Sequence, residues 1–190
     1  MQEFLKVSYT LAPLLLGLAF HGLCIKFGWL GFLGRPIDAG FKVRGRPLFG
    51  ANKTYRGVIA VALGTAAGVG LQLLLHRAGV AHETELLSYA NASVIGIGAA
   101  LGAAAMLAEL PNSALKRQLG IAPGKTTRGW ANAIFYVLDQ VDMLVGVWIV
   151  LGIAVGATIL RVVWSVVFLF IAHQLLTLIG YQLGMRATAR

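Results

Sequence analysis

Two aspartates stand out because they lie in an otherwise apolar run of the chain. Asp139 and Asp142 are three residues apart within residues 138–142, so on a helix their carboxylates share one face. No Lys or Arg lies between Arg128 and Arg161 to balance their charge. A divalent cation is a suitable partner, because Mg²⁺ is held in proteins by carboxylates and substrate phosphates. The alternative is a solvated helix start, where the helix dipole stabilises the two charges.

A second polar segment places one carboxylate beside several cations. Pro111 cannot donate a backbone hydrogen bond and disfavours helical backbone at Leu110, so a helix is predicted to end there. Glu109 then lies at the edge of an apolar stretch and faces a polar loop, whose candidate site residues are Asn112, Ser113, Lys116, Arg117 and Lys125. Ionisable residues at such an edge indicate either a functional site or a solvated loop with internal ion pairs.

A third polar segment, residues 35–57, is rich in glycine and cations and ends where another apolar stretch begins. Asp38 lies near its start, and its last part contains Asn52, Lys53, Thr54 and Arg56. Backbone N–H groups at a helix start, together with Lys and Arg, make a phosphate site. The alternative is a basic membrane anchor in which Asn52 or Thr54 caps the helix.

The elements that must position these segments are membrane spans. Hydrophobic residues make up 58% of the 190 residues and charged residues 12%, against about 25% charged residues in a soluble domain. A spanning helix needs roughly 20 mostly apolar residues. Five such stretches occur, at about 9–29, 57–76, 91–110, 134–160 and 162–184. The sequence therefore predicts an all-α integral membrane protein with about five transmembrane helices.

This layout predicts one membrane domain over residues 1–190, with polar loops at about 30–56 and 111–133. The net charge of +9 has no soluble domain to present it, so we expect no nucleic-acid partner. A charge bias between the loops of a membrane protein explains it better.

The distribution of the sixteen Lys and Arg residues predicts the orientation. Thirteen lie in the two polar loops, at their edges or in the C-terminal tail, and the exceptions are Lys6, Arg77 and Arg161. Positive residues stay on the cytoplasmic side. We therefore expect an external N-terminus, a cytoplasmic C-terminus, and all three polar segments on the cytoplasmic face of the plasma membrane.

Small residues recur at a spacing of four within the apolar stretches, which lets helix backbones approach closely in lipid. Packing within one bundle is the favoured interpretation, with a homodimer contact as the alternative. The pairs are Gly64 and Gly68, Gly98 and Gly102, and Gly152 and Gly156.

Three ordered groups of residues resemble the motifs of CDP-archaeol synthases, a family of CTP-dependent lipid cytidylyltransferases. Taken together the motifs span 41 residues, at 35–57, 109–121 and 138–142. The five-span layout extends the likeness to the whole chain. In chain order the groups are Arg35-Pro36-Ile37-Asp38-x-Gly40 with Gly45-Arg46-Pro47 and Gly50-x-Asn52-Lys53-Thr54-x-Arg56-Gly57; Glu109-Leu110 with Ser113-x-x-Lys116-Arg117-x-Leu119-Gly120-Ile121; and Leu138-Asp139-Gln140-x-Asp142.

Two positions depart from the family pattern. Arg44-Gly45 stands where the family usually has Asp-Gly, and Ala108-Glu109 stands where it has Gly-Asp. The related bacterial CDP-diacylglycerol synthases share Ser-x-x-Lys-Arg, but their other signatures are missing here. The resemblance to the archaeal type is therefore closer.

The resemblance implies conversion of CTP and a lipid phosphate, archaetidic-acid-like or phosphatidic-acid-like, to a CDP-lipid and pyrophosphate. It implies Mg²⁺ as cofactor, bound by Asp139, Asp142 and Glu109. Lys116 and Arg117 would act with the two aspartates in catalysis. The substrate-binding residues that it implies are Asp38, Asn52, Lys53, Thr54, Arg56, Asn112, Ser113 and Lys125.

Two other classes of protein remain open from the sequence. A small transporter would also carry intramembrane carboxylates and glycine-rich helices, although it would place its charges near mid-membrane and often show an internal repeat. A non-catalytic membrane partner subunit would need no metal site. Binding of CTP, strengthened by Mg²⁺, distinguishes the enzyme from both.

Overall fold

The computed structural model describes residues 1–80, 82–123 and 130–182 of the chain. All five long helices are apolar enough to cross a membrane, which confirms the predicted all-α membrane fold. In chain order they are α1 Gln2–Lys26, α2 Tyr55–Arg77, α3 Val94–Gln118, α4 Trp130–Val155 and α5 Ile159–Gln182.

The helices form a bundle in which α2 packs between α1 and α3, α4 packs on the other side of α3, and α5 packs mainly against α1. Leu11 of α1, Val61 of α2, Leu101 of α3 and Val147 of α4 are almost fully buried in one shared core. Many other large apolar side chains are exposed on the outer helix faces. A water-soluble protein would bury such side chains, whereas lipid accommodates them.

Two of the three predicted small-residue pairs lie at close helix crossings. A Cβ atom added to Gly64 would lie 2.7 Å from Cα of Gly17, and one added to Gly102 would lie 2.6 Å from the backbone oxygen of Val61. The pair Gly152 and Gly156 does not pack in this way. A Cβ on either residue meets nothing within 4 Å among the described atoms, and Gly156, with φ +73°, follows the end of α4.

This packing predicts opposite effects for two Gly→Ala substitutions. Gly102→Ala should lower the free energy of unfolding by about 1–3 kcal/mol, because the backbone of α2 must move to admit the methyl group. Gly152→Ala is the matched control. It meets open space and should be neutral or stabilise by roughly 0.5–1 kcal/mol through helix propensity. Denaturant titration in detergent compares the two, and equal destabilisation would contradict the assigned crossing.

The structure corrects the predicted end of the third helix. We expected it to end at Leu110, but α3 continues through Pro111 to Gln118, so the predicted loop 111–133 begins later than proposed. A proline inside a membrane helix is tolerated where neighbouring helices and side chains satisfy the freed backbone group. Here the residues after Pro111 contact α4 through polar side chains, which favours a continued helix.

Candidate active site

Asn112 of α3 joins the two aspartates of α4. Its Nδ2 donates hydrogen bonds to Oδ1 of Asp139, at 2.7 Å, and to Oδ2 of Asp142, at 3.0 Å. The prediction that the aspartates share one helix face is therefore confirmed. Asn112 is 9% exposed, so its hydrogen bonds are sheltered from water and hold the two carboxylates together. The helical continuation past Pro111 brings Asn112 to this position.

Asp139 and a third acid, Glu109 of α3, are each paired with a lysine from another part of the chain. Lys116 Nζ lies 2.6 Å from Oδ2 of Asp139, and Lys53, from the loop before α2, forms an ion pair with Glu109. Both lysine side chains are largely shielded from solvent. Glu109 is shielded as well, so the Lys53–Glu109 pair is less screened by water than a surface ion pair, whose net value is about 0–1 kcal/mol. Asp139 is 48% exposed, so its pair with Lys116 is partly screened.

Asp142 differs from the other two acids. Within the described residues it has no Lys or Arg partner, and its Oδ1 accepts a hydrogen bond of 2.7 Å from its neighbour's backbone, Met143 N–H. Glu109 and Asp139 lie near enough for their negative charges to act on it. Three acids and two lysines therefore leave one negative charge, which favours binding of a cation.

The donor set also fits a hard cation. Oδ1 of Asn112 is buried and accepts no hydrogen bond from any residue that the structure describes. A buried acceptor without a partner costs roughly 1–3 kcal/mol. Carboxylate and amide oxygens are the ligands that Mg²⁺ prefers. Asp139, Asp142, Glu109 and the Asn112 amide oxygen therefore have the ligand chemistry of a Mg²⁺ site, and a flip of the Asn112 amide would turn Oδ1 toward the two aspartates.

The loop before α2 is organised around Asp38. Its carboxylate accepts hydrogen bonds from the backbone N–H groups of Gly40, Phe49 and Gly50, at 2.9–3.1 Å. Burial alone would raise the pKa of Asp38, but these hydrogen bonds outweigh it and bring the pKa below its ordinary value. The carboxylate is thus ionised at neutral pH, and its contribution to stability is lost as the pH falls through the folded-state pKa. These hydrogen bonds give the carboxylate a structural role inside the loop. They do not test substrate binding, so the predicted substrate contact of Asp38 stays a prediction.

A two-stranded hairpin connects this loop to the end of α3. Strand β1, Lys42–Val43, pairs antiparallel with β2, Arg46–Pro47. Both residues of the turn, Arg44 and Gly45, have positive φ, at 53° and 76°, which matches the turns that favour two-residue hairpins. The Arg46 guanidinium then donates to the carbonyl of Gln118. A cation at this position satisfies a free carbonyl at the C-terminus of α3.

Arg117 also lies between the two polar segments. Its guanidinium donates to the carbonyl of Ile121, and the side chain packs against Gly50, where an added Cβ would lie 3.3 Å from Arg117 Nε. Arg117 is 9% exposed. The structure thus shows a contact between the two polar segments, and the predicted role of Arg117 in catalysis stays a prediction.

The other predicted substrate-binding residues differ in their surroundings. Thr54 caps α2 by accepting a hydrogen bond of 3.3 Å from Gly57 N–H, as the capping alternative predicted. Asn52 is exposed, Arg56 is half-buried, and Ser113 is buried beside Asn112. Lys125 lies outside the described residues. None of these contacts tests a substrate role, so the assignments stay predictions.

His21 of α1 is a neighbour of this site for which the sequence indicated only an interfacial position. Its ring lies against Gly57 at the start of α2, where an added Cβ would be 3.4 Å from Nε2, and it lies within electrostatic range of Lys53 and Arg56. The sequence signal was a single ionisable residue in an apolar helix. Its proximity to the polar loop depends on how α1 crosses α2, which local sequence does not show.

Five membrane-spanning helices with acids and cations gathered at one end of the bundle define a polytopic membrane protein with a site for phosphate chemistry. Residues 7–189 match the family model of CarS-like CDP-archaeol synthases. The chain therefore belongs to the CDP-archaeol synthase family, and it is a CTP-dependent cytidylyltransferase of membrane lipid biosynthesis. The predicted enzyme class is confirmed, whereas the transporter and partner-subunit alternatives do not fit.

Individual relatives agree with this assignment. The chain is 36% identical over 159 residues to a CDP-archaeol synthase of Halobacterium salinarum, covering 80% of this chain and 82% of the relative. It is 31% identical over 163 residues to a CDP-archaeol synthase of Methanoculleus marisnigri, covering 80% and 88% of the two chains.

A solved structure supports the fold. It is described as an intramembrane enzyme for archaeal membrane lipids biosynthesis, and it superposes with a TM-score of 0.62 at 21% identity. The match covers 90% of this chain and 91% of the other. At this identity the similarity establishes the arrangement of the helices.

Proposed function

We propose that the cluster of Asp139, Asp142, Glu109, Lys53 and Lys116 is the site at which CTP reacts with a lipid phosphate. An oxygen of the lipid phosphate attacks the α-phosphorus of CTP. The bond from that phosphorus to the oxygen bridging to the β-phosphorus breaks, and pyrophosphate leaves with the electron pair. The observation that carries this proposal is the Asn112 side chain, which holds two carboxylates together beside lysines from two separate segments.

The residues present fit Mg²⁺, and Asp139, Asp142 and Glu109 would hold it with the Asn112 amide oxygen. When bound, the ion neutralises charge on the triphosphate and on the departing pyrophosphate, which is worth several kcal/mol. Lys116 and Lys53 contribute positive charge beside these acids. Each lysine would exchange its carboxylate partner for a substrate phosphate when the nucleotide and the ion bind.

The reaction places little demand on general-base catalysis. A lipid phosphomonoester has a second pKa of about 6, so its attacking oxygen is largely ionised at neutral pH. Positioning and charge neutralisation therefore carry most of the catalysis, as in other phosphoryl-group reactions. The cations and carboxylates of this site meet that requirement without a nucleophile and base pair.

The lipid that we propose is an isoprenoid ether lipid phosphate, because the relatives are named CDP-archaeol synthases. Its tails would enter sideways from the bilayer between the apolar helices.

The basic loops favour a site on the cytoplasmic face of the plasma membrane. A homodimer is a further expectation, which cross-linking in native membranes would test.

The test uses purified full-length protein in lipid nanodiscs with CTP and two lipid phosphates, one with isoprenoid ether tails and one with acyl ester tails. We expect a CDP-lipid, identified by mass spectrometry, together with stoichiometric pyrophosphate, and we expect both to require Mg²⁺. Faster turnover of the ether lipid supports the proposed substrate. Equal turnover of the two lipids would contradict that choice, and full activity without any divalent cation would contradict the metal proposal.

A further inference from the structure

A second cluster of metal-binding side chains lies at the opposite end of the bundle. His76 is in the last turn of α2, and the connection to α3 brings His82 and Glu85 back beside it. The imidazole nitrogens and a carboxylate oxygen of these three residues lie within 4.8 Å of one another. At 1.5 Å per residue, His76 is about 32 Å along α2 from Tyr55 at the active-site end. The cluster is therefore independent of the acids described above.

The distances suit a shared ion. Nδ1 of His76 lies 2.9 Å from Oε2 of Glu85, and Nδ1 of His82 lies 4.0 Å from the same oxygen. Metal–ligand distances of about 2.0–2.2 Å in a tetrahedral site place neighbouring ligand atoms roughly 3.3–3.6 Å apart. The observed separations lie on either side of this range, so small side-chain movements complete the geometry. His82 is 50% exposed and provides an entry path, whereas Glu85 is 10% exposed.

Surrounding residues hold the His76 ring in place. The Tyr89 ring stacks on it with centroids 5.8 Å apart, and the Tyr89 hydroxyl donates to Gln72 at 2.7 Å. Gln72 in turn donates to the carbonyl of Tyr9 on α1, at 2.6 Å. The hydrogen bonds fix Tyr89, and its stacked ring in turn restricts the orientation of the His76 imidazole.

We propose that His76, His82 and Glu85 form a Zn²⁺ site that fastens the α2–α3 connection to the bundle. Two imidazoles and one carboxylate match zinc, which accepts nitrogen and oxygen ligands, better than Mg²⁺, which prefers oxygen ligands alone. Three protein ligands leave the fourth position for water. The site is distinct from the cytidylyl-transfer cluster in both position and ligand chemistry.

The test measures Zn²⁺ binding to full-length, tag-free protein in detergent, with Mg²⁺ in excess to saturate the carboxylate cluster. Competition with a chromophoric chelator gives stoichiometry and affinity, and Co²⁺ absorption reports the coordination geometry. We expect one Zn²⁺ per chain, and more than about 100-fold weaker binding in His82→Asn and in Glu85→Gln. Zn²⁺ should raise the melting temperature of the wild-type protein but not that of His82→Asn.

Glu83→Gln is the matched control, because it removes the same charge from an exposed residue two positions away. It should bind Zn²⁺ like the wild type. The half-exposed His82 makes His82→Asn informative even if Glu85→Gln fails to fold. Equal Zn²⁺ affinity in His82→Asn, Glu83→Gln and the wild type would overturn the proposal, as would a wild-type protein that binds no Zn²⁺. Either result would mean that His76 and Glu85 form a hydrogen-bonded pair alone.

Discussion

Asp142→Asn should lower the rate of CDP-lipid formation by more than roughly a hundredfold while leaving the protein folded. The substitution removes one negative charge at nearly unchanged volume, so the packing of α4 against α3 is kept. Asp142 has no Lys or Arg partner among the described residues, which makes its charge available to a cation. Metal-assisted charge stabilisation is worth several kcal/mol, and each 1.36 kcal/mol corresponds to tenfold in rate.

Asp139→Asn should give a loss of similar size, with one difference. Asp139 also pairs with Lys116, so its removal frees that lysine and changes the binding of CTP as well as turnover. Steady-state kinetics at several Mg²⁺ concentrations measures both effects. Glu83→Gln, at the far end of the bundle, controls for charge removal in general. Near-normal turnover in both aspartate variants would show that the pair is structural.

The spans were predictable because membrane insertion depends on the apolarity of consecutive residues, which is a local property. The common face of Asp139 and Asp142 was predictable for a similar reason, since a spacing of three on a helix fixes it. The helix end at Leu110 was predicted wrongly. The local cost of Pro111 was visible in sequence, whereas the compensating contact of Asn112 with α4 was not.

The ion pairs of the site could not be predicted either, because they join residues that are far apart in the sequence. Lys53 and Glu109 are 56 positions apart in the chain, and their pairing follows from the way α2 packs on α3. The sequence indicated that both residues belong to phosphate and metal chemistry, through their order within a family pattern. It gave no indication that Arg46 would donate a hydrogen bond to the end of α3 or that Arg117 would pack against Gly50 of the other polar segment. Such contacts depend on tertiary packing.

The two lysines should affect the two substrates differently. Lys116 lies beside the aspartate pair, in the segment that resembles the bacterial enzymes, which also use CTP. Lys116→Ala should therefore raise the KM for CTP by more than about tenfold, with a smaller change in the KM for the lipid phosphate. Lys53 lies on the loop that has no recognised bacterial counterpart and pairs with Glu109. Lys53→Ala should therefore raise the KM for the lipid phosphate more than the KM for CTP.

The size of these effects follows from the surroundings of the lysines. Both side chains are about one-fifth exposed or less, so a bound phosphate interacts with them at a partly desolvated membrane edge. A fully solvated cation contributes only about 0–1 kcal/mol. Lys42→Ala, which removes an exposed cation from the same loop as Lys53, should therefore change either KM by less than about fivefold. Saturation curves for both substrates decide the assignment: identical shifts for CTP and lipid phosphate in the two variants would show that the lysines serve one shared phosphate site.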